Sequence, residues 1–318
     1  MKKLAIQLSG QLRNWPRLKK IVLPYWKRII EVGEENGVEI HLHGTFWNEA
    51  HALGEQHHHW GQISYSRSNS DWEDFKFISF LKEPFVMHGN EPVSIHKSYE
   101  AIFQDDKPIE KRKQNDMYKG DMAPIASWPW GFCMYEASKN RRFWQREHNY
   151  QYDLVLVTRP EIYLERKNVD EICNRIEELS SYDFTVFSHA IQHDMTDDED
   201  TNSKGFDTLP FSDDTIILGT EESINLYCTS IVSLFLDNNL KLWRDFSGHI
   251  AVPYIIKNLT LNPLPPHFTG RSMLSFNLFR MNSDVAIVNP ELEHKSKNLE
   301  VSEEWNLNLS EVEDFHLW

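Results

Sequence analysis

Cysteine is scarce in this chain, with three residues in 318 (Cys133, Cys173 and Cys228) and no CxxC pair. That spacing excludes a disulfide framework and fits reduced thiols in a cytosolic compartment. Positive charge is also in deficit. Against 48 Asp and Glu there are 33 Lys and Arg, a formal net charge of −15. Nucleic acids and anionic membranes are held by basic surface, so neither is an expected partner. Long apolar runs are missing too, and no window approaches the roughly eighteen residues of a transmembrane helix. The opening "MKKLAIQLSGQLR" has too short an apolar stretch for a signal peptide. The expectation is a soluble, cytoplasmic protein without a transmembrane segment, in which the sequons "NLT" (258–260) and "NLS" (308–310) carry no glycosylation. Several catalytic signatures are absent as well. There is no GxGxxG, GxxxxGK[ST], GxSxG, HExxH or Cys–His pattern, which lowers dinucleotide-fingerprint, P-loop, hydrolase and protease readings.

What is present is ordinary globular material, 40% hydrophobic and 25% charged, with an unusual wealth of tryptophan, eleven in all. Tryptophan offers a flat apolar face and one polar handle, suited to stacking on sugars or bases, although core packing is the commoner use. "KLAIQLSG" reads as a buried strand, and "PRLKKIVLPYWKRIIEVGEENG" as an amphipathic helix with Pro16 in its first turn and Gly37 as its stop. "VEIHLHGTFW" reads as a second strand. This βαβ opening predicts an α/β fold with a mostly parallel central sheet flanked by helices. Residues 51–119 read as an insertion with surface loops and one short strand, "PFVMHG". Beyond it come a helix in "SWPWGFCMYEASKNRRFWQREHN", a strand over 152–158, a helix in "NVDEICNRIEELSS" and a strand in "YDFTVFSH". An acidic loop (193–210), a strand in "DDTIILGT", a helix in "EESINLYCTSIVSLFLDN" and a further helix in "SGHIAVPYIIKNL" complete the pattern. Residues 290–318 read as a polar tail. No repeat or linker divides residues 1–318, so a single domain is expected.

Candidate sites follow from the carboxyl ends of the strands, where parallel sheets collect their chemistry. The loop "LSGQLRNW" ends a strand and opens a helix, a place where backbone N–H groups and the helix dipole favour phosphate. Arg13 is either an anion contact, through its bidentate guanidinium, or an exposed loop arginine. The strand "YDLVLVTRPEIYL" runs into Arg159, Pro160 and Glu161. This is either a surface ion pair of little energetic worth or a charged site in which Glu161 holds a divalent cation and Arg159 a phosphate. Asp213 and Asp214 precede another strand and read as base, sugar-hydroxyl acceptor or metal ligand, or as a solvated turn with a cap at Thr220. Histidines are numerous but poorly spaced for a metal. The run at 57–59 cannot converge on one ion. His41 and His43 share a strand face without an acidic or cysteine partner at ligand spacing. His189, His193 and His249 read mainly as surface or helix positions.

Four segments, taken in order, resemble a group of bacterial and viral glycosyltransferases. "LAIQLSGQLRNW" resembles their SGQ-x-R opening, and "VEIHLHGTFW" their D-(apolar)-HxW strand. "YDLVLVTRPEIYL" resembles their central YD-(apolar)-RxRxD strand, and "DDTIILGTEES" their later (N/S)D-x-(F/W)-x-x-G segment. The likeness covers roughly residues 1–50 and 120–260. It implies a GT-A-like, Rossmann-like nucleotide-binding architecture and a nucleotide-sugar donor, with Mn²⁺ or Mg²⁺ often held near the central carboxylate. Carried over by position, Ser9, Gly10, Gln11 and Arg13 form the nucleotide pocket. Arg159 and Glu161 match the central arginine and acidic residue, and Asp213 or Asp214 with Gly219 match the later segment. The chain departs from the pattern where Thr158 or Val157 replaces the first arginine and Glu161 replaces aspartate.

The resulting expectation is a hexosyltransferase of polysaccharide biosynthesis that moves a sugar to a glycan, lipid-linked or other hydroxyl acceptor. Asp213 and Asp214 are its catalytic candidates and Glu161 its metal ligand. The alternatives are a non-catalytic nucleotide- or carbohydrate-binding protein of the same fold, and a metal-dependent phosphoryl-transfer enzyme using the same carboxylates.

Overall fold

The computed structural model of the protein describes residues 1–10, 12, 15–47, 69–81, 85–88, 91–94, 123–160, 162–164, 166–182, 184–186, 216–236, 279–280 and 305. Its centre is a six-stranded sheet of mixed but mostly parallel sense. Strand β1 (Lys2–Gly10) pairs in parallel with β2 (Val38–Trp47) on one side and with β6 (Leu154–Thr158) on the other. Beyond β2 lies β3 (Phe75–Leu81), also parallel. Beyond β6 lies β9 (Ile216–Gly219), which runs the opposite way, and then β8 (Phe184–Val186), antiparallel to β9. The spatial order is therefore β3-β2-β1-β6-β9-β8. A hairpin of β4 (Phe85–His88) and β5 (Glu91–Ser94) stands apart, as does a two-strand ladder of β7 (Ile162–Tyr163) with β10 (Phe279–Arg280).

The two faces are covered by different helices. Helix α1 (Trp15–Glu35) links β1 to β2 and buries Val22, Tyr25, Trp26, Ile29 and Val32. These fall at helical spacing on one stripe, which packs on Leu4, Ile6, Leu8, Ile40, Leu42 and Phe46 of the sheet. Pro16 lies in the first turn, as its missing N–H allows, while Pro24 sits inside the helix on the exposed side. The helix stops at Gly37, whose φ of +70° suits a residue without Cβ. Helix α3 (Arg166–Asn174) and the short α4 (Ile176–Leu179) extend the same face. The other face carries α2 (Ala123–His148) and α5 (Glu221–Leu236), which pack on each other and on the sheet.

Two sequence expectations change here. The span 51–119, expected as an insertion, contributes β3 to the central sheet. "FKFISFL" hides its strand character because its side chains are only partly buried at the sheet edge, so neither a continuous apolar run nor a strict alternation stands out. The polar tail expected over 290–318 contains Trp305, which is 1% exposed and belongs to the main core. The segment 193–210 and the helix expected in "SGHIAVPYIIKNL" lie outside the described residues. Among the described residues no helix is long and apolar enough to cross a membrane.

Candidate functional site

Strand order locates the crevice. From β1 the chain passes through α1 to β2 and on to β3, all on one side. It then returns through α2 on the opposite face of the sheet to β6, on β1's other side. The strand order thus reverses between β1 and β6, and in a doubly wound sheet a ligand sits outside the carboxyl ends at such a point.

The register brings Leu8 opposite Thr158, so Ser9 and Gly10 reach the same edge as Arg159. Gly10 has φ +124°, a conformation L side chains rarely adopt, and a Cβ placed there would lie 4.0 Å from the Cγ and Cδ of Arg159. Glycine thus leaves backbone and guanidinium stem side by side with no side chain between them. Thr158 ends β6 with its Oγ1 buried and without a hydrogen-bond partner. A buried hydroxyl in that state is costly unless something else completes it. From the α2 side, Cys133 donates its thiol to the Thr45 carbonyl at 3.3 Å and is fully buried. Burial pushes that thiol up to about 12, so it serves as a packed, neutral side chain and not as a nucleophile. Trp47 and Phe132 stack beside it with ring centres 6.3 Å apart. The described edge therefore brings the Arg159 side chain and close backbone access at Gly10 together beside apolar walls. That chemistry suits an anion.

Of the sequence-derived candidates, Ser9, Gly10 and Arg159 come together at this edge. Gln11, Arg13, Glu161, Asp213 and Asp214 lie outside the described residues. The strand that follows Asp213 and Asp214 does begin at this end, since Ile216 pairs with Thr158. Gly219 does not join the group. It pairs with Val155 at the opposite end of β6 and is buried. Beside it, Thr220 caps α5 by accepting the Ser223 backbone N–H at 3.3 Å, the capping role weighed above. Sequence reasoning did not single out the buried hydroxyl of Thr158, although a threonine ending an otherwise apolar strand, "LVLVT", is a signal of one inward polar group. Cys133 left no such signal, because its approach to β1 and β2 depends on how α2 crosses the sheet.

His41 and His43 do share a face, but they are spent on a tyrosine. His41 Nδ1 lies 2.9 Å and His43 Nε2 2.7 Å from the Tyr152 hydroxyl, and His41 Nε2 lies 2.9 Å from Glu39. Donor and acceptor bookkeeping orders the chain. A carboxylate only accepts, so His41 carries its proton on Nε2 and accepts at Nδ1 from Tyr152. Tyr152 in turn accepts from His43 Nε2–H, and His43 Nδ1 is left buried without a partner. Both imidazoles titrate below their ordinary pKa, so the neutral form is favoured. For His41 the main cause is burial, aided by the positive charge of Lys76 and opposed by Glu39. For His43, held well below, it is burial and then the charge of Arg141. Arg141 is itself fully buried, donating to Gln7 at 3.1 Å, to Gln145 at 2.8 Å and to Asn225 at 2.5 Å, with Glu221 at 4.0 Å. Among the described residues there is no group of three or more side chains placed to hold a metal ion. The chain matches no protein-family model, and no curated protein matches it.

Proposed function

We propose that the crevice between β1 and β6 binds the diphosphate of a nucleotide-sugar, and that the protein is a glycosyltransferase of GT-A-like architecture. The observation that carries the reading is the meeting of Gly10 and Arg159 at the point where the strand order reverses. Glycosyl transfer asks a protein chiefly to stabilise a departing diphosphate and to orient an acceptor hydroxyl. A guanidinium carried at a strand end would meet the first demand, and a backbone without a side chain at Gly10 would let the phosphates come close. The acceptor proposed is a glycan, a lipid-linked sugar or another hydroxyl compound. Glu161 is the proposed ligand for Mn²⁺ or Mg²⁺. It lies outside the described residues, and an ion there would offset the charge of the departing diphosphate.

Calorimetry with UDP-, GDP- and CMP-sugars tests the site. One of these donors should bind, and Arg159→Ala should weaken that binding roughly tenfold or more, the worth of a charge-assisted hydrogen bond. Glu161→Ala should abolish sugar transfer or donor hydrolysis while leaving the unfolding transition in place. Failure of every donor to bind removes the assignment. Binding without turnover across a broad acceptor panel moves it to a nucleotide-sugar-binding protein of the same fold.

A further inference from the structure

We infer that Trp305 is a positioning residue for the β1–β6 crevice, acting through the backbone of Pro160–Leu164; this rests on the reading of that crevice as the donor site. Arg159 is followed at once by a segment held at both flanks. Trp26 Nε1 donates to the Pro160 carbonyl at 3.1 Å. Four residues later the Leu164 N–H donates to the Tyr25 hydroxyl at 2.5 Å, and that hydroxyl donates back to the Leu164 carbonyl at 3.3 Å. Trp305 Nε1 donates to the same carbonyl at 3.1 Å, across 141 positions of sequence. Between the anchors, Ile162 and Tyr163 pair with Arg280 and Phe279.

The three rings form one unit. Tyr25 meets Trp26 edge-on with centres 4.9 Å apart and meets Trp305 edge-on at 5.1 Å. The Arg166 guanidinium lies 5.8 Å from the Trp305 ring centre and also binds Glu35 at 2.7 Å, which ties α3 and the end of α1 to the same unit. Tyr25, Trp26 and Trp305 are all at most 1% exposed. An indole buried to that extent needs an acceptor for its N–H, and both indoles find theirs on the backbone that leaves β6. Proline fixes φ at position 160, and the Trp26 bond fixes its carbonyl. The direction in which the chain leaves Arg159 is thereby set by α1 and by a residue near the chain's far end.

The test is Tyr25→Phe, which keeps the ring and removes only the hydroxyl, with Trp305→Phe as a second variant, which removes the indole N–H together with part of the ring volume. Amide exchange is followed by mass spectrometry in a peptide spanning 160–164 and in peptides of α2, alongside calorimetric affinity for UDP, GDP and CMP. Exchange in 160–164 should quicken roughly fivefold in Trp305→Phe, the equivalent of one net hydrogen bond, and more in Tyr25→Phe, which loses two, while α2 stays unchanged. Nucleotide affinity should fall by a similar factor. The double variant should fall short of the product of the two, because both act on Leu164. Unchanged exchange at 160–164, an equal rise in α2, or affinity indistinguishable from that of the unaltered chain each overturns the positioning role alone. An unaltered chain that binds none of the three nucleotides overturns the donor-site reading first, and the positioning role with it.

Discussion

The two faces of the central sheet are built on opposite principles. Toward α1, β1 and β2 present Leu4, Ile6, Leu8, Ile40, Leu42 and Phe46 to an apolar helix stripe. Toward α2 the same strands present Gln7, His41, His43 and Thr45, all at most 5% exposed. Gln7, His41 and His43 join Arg141, Gln145, Asn225 and Tyr152 in a hydrogen-bond network that closes through Glu221, while Thr45 accepts from Ser79 and Asn140. One face gains from removing apolar area from water, without directional demands. The other depends on each donor meeting its acceptor, since a buried polar group left alone is penalised. The difference teaches that this fold is tolerant on one side and exacting on the other.

The largest effect should come from Arg141→Ala. It removes the donor of three acceptors and leaves a void beside Glu221, at a cost of about 3–5 kcal/mol in urea unfolding. Arg141→Lys should recover only part, because one ammonium cannot reproduce the planar fork that reaches Gln7, Gln145 and Asn225. Full stability in either variant would mean that the network is decorative.

A smaller effect separates the faces by pH. His41 and His43 titrate lower in the folded protein than the ordinary value near 6.5. Below about pH 6.5 the unfolded chain therefore takes up protons that the native state refuses, and stability falls as pH falls. Above that value the contribution is fully present. The loss is at most about 1.4 kcal/mol per pH unit for each histidine, and it levels off only below the folded-state pKa. Unfolding midpoints followed from about pH 7.5 down to about pH 5 should drop less steeply for His43→Gln. An identical slope would remove His43 as a source.

The smallest effect lies on the apolar face. Ile6→Val deletes one methylene from a residue 1% exposed, at about 0.5–1.5 kcal/mol. That loss should not vary with pH between about 5 and 7.5. A pH-dependent penalty there would show that the two faces are coupled through the sheet.

The legibility of the fold follows the same division. Strands β1 and β6 were readable because apolar runs of "LAIQL" and "LVLV" type arise where both faces of a strand are buried. Helix α1 was readable from the stripe of Val22, Tyr25, Trp26 and Ile29. Strand β3 was not, since an edge strand keeps part of its surface in water. The meeting of Ser9 and Gly10 with Arg159 was half legible. Each marks a strand end, but adjacency requires β6 to dock against β1 and not at the sheet's edge. Gly219 shows the converse, since its place at the end of a strand was right while the antiparallel sense of β9 carries it to the far edge. His41 and His43 were legible as sharing a face, and their common partner Tyr152, more than a hundred residues away, was not.

By itself the sequence determined the α/β class, the βαβ opening and the strand ends at which charge collects. Periodicity and turn chemistry are local, and each acts within a few neighbouring residues. The tertiary structure alone decided that β1 and β6 lie side by side, that one face of the sheet is wired by Arg141 and Tyr152, and that Trp305 closes on the segment leaving Arg159. The bonds from His41 to Tyr152, Arg141 to Gln7 and Trp305 to Leu164 each join residues more than 100 positions apart. Their formation depends on shape and on pairwise hydrogen-bond matching, which no single stretch of chain encodes.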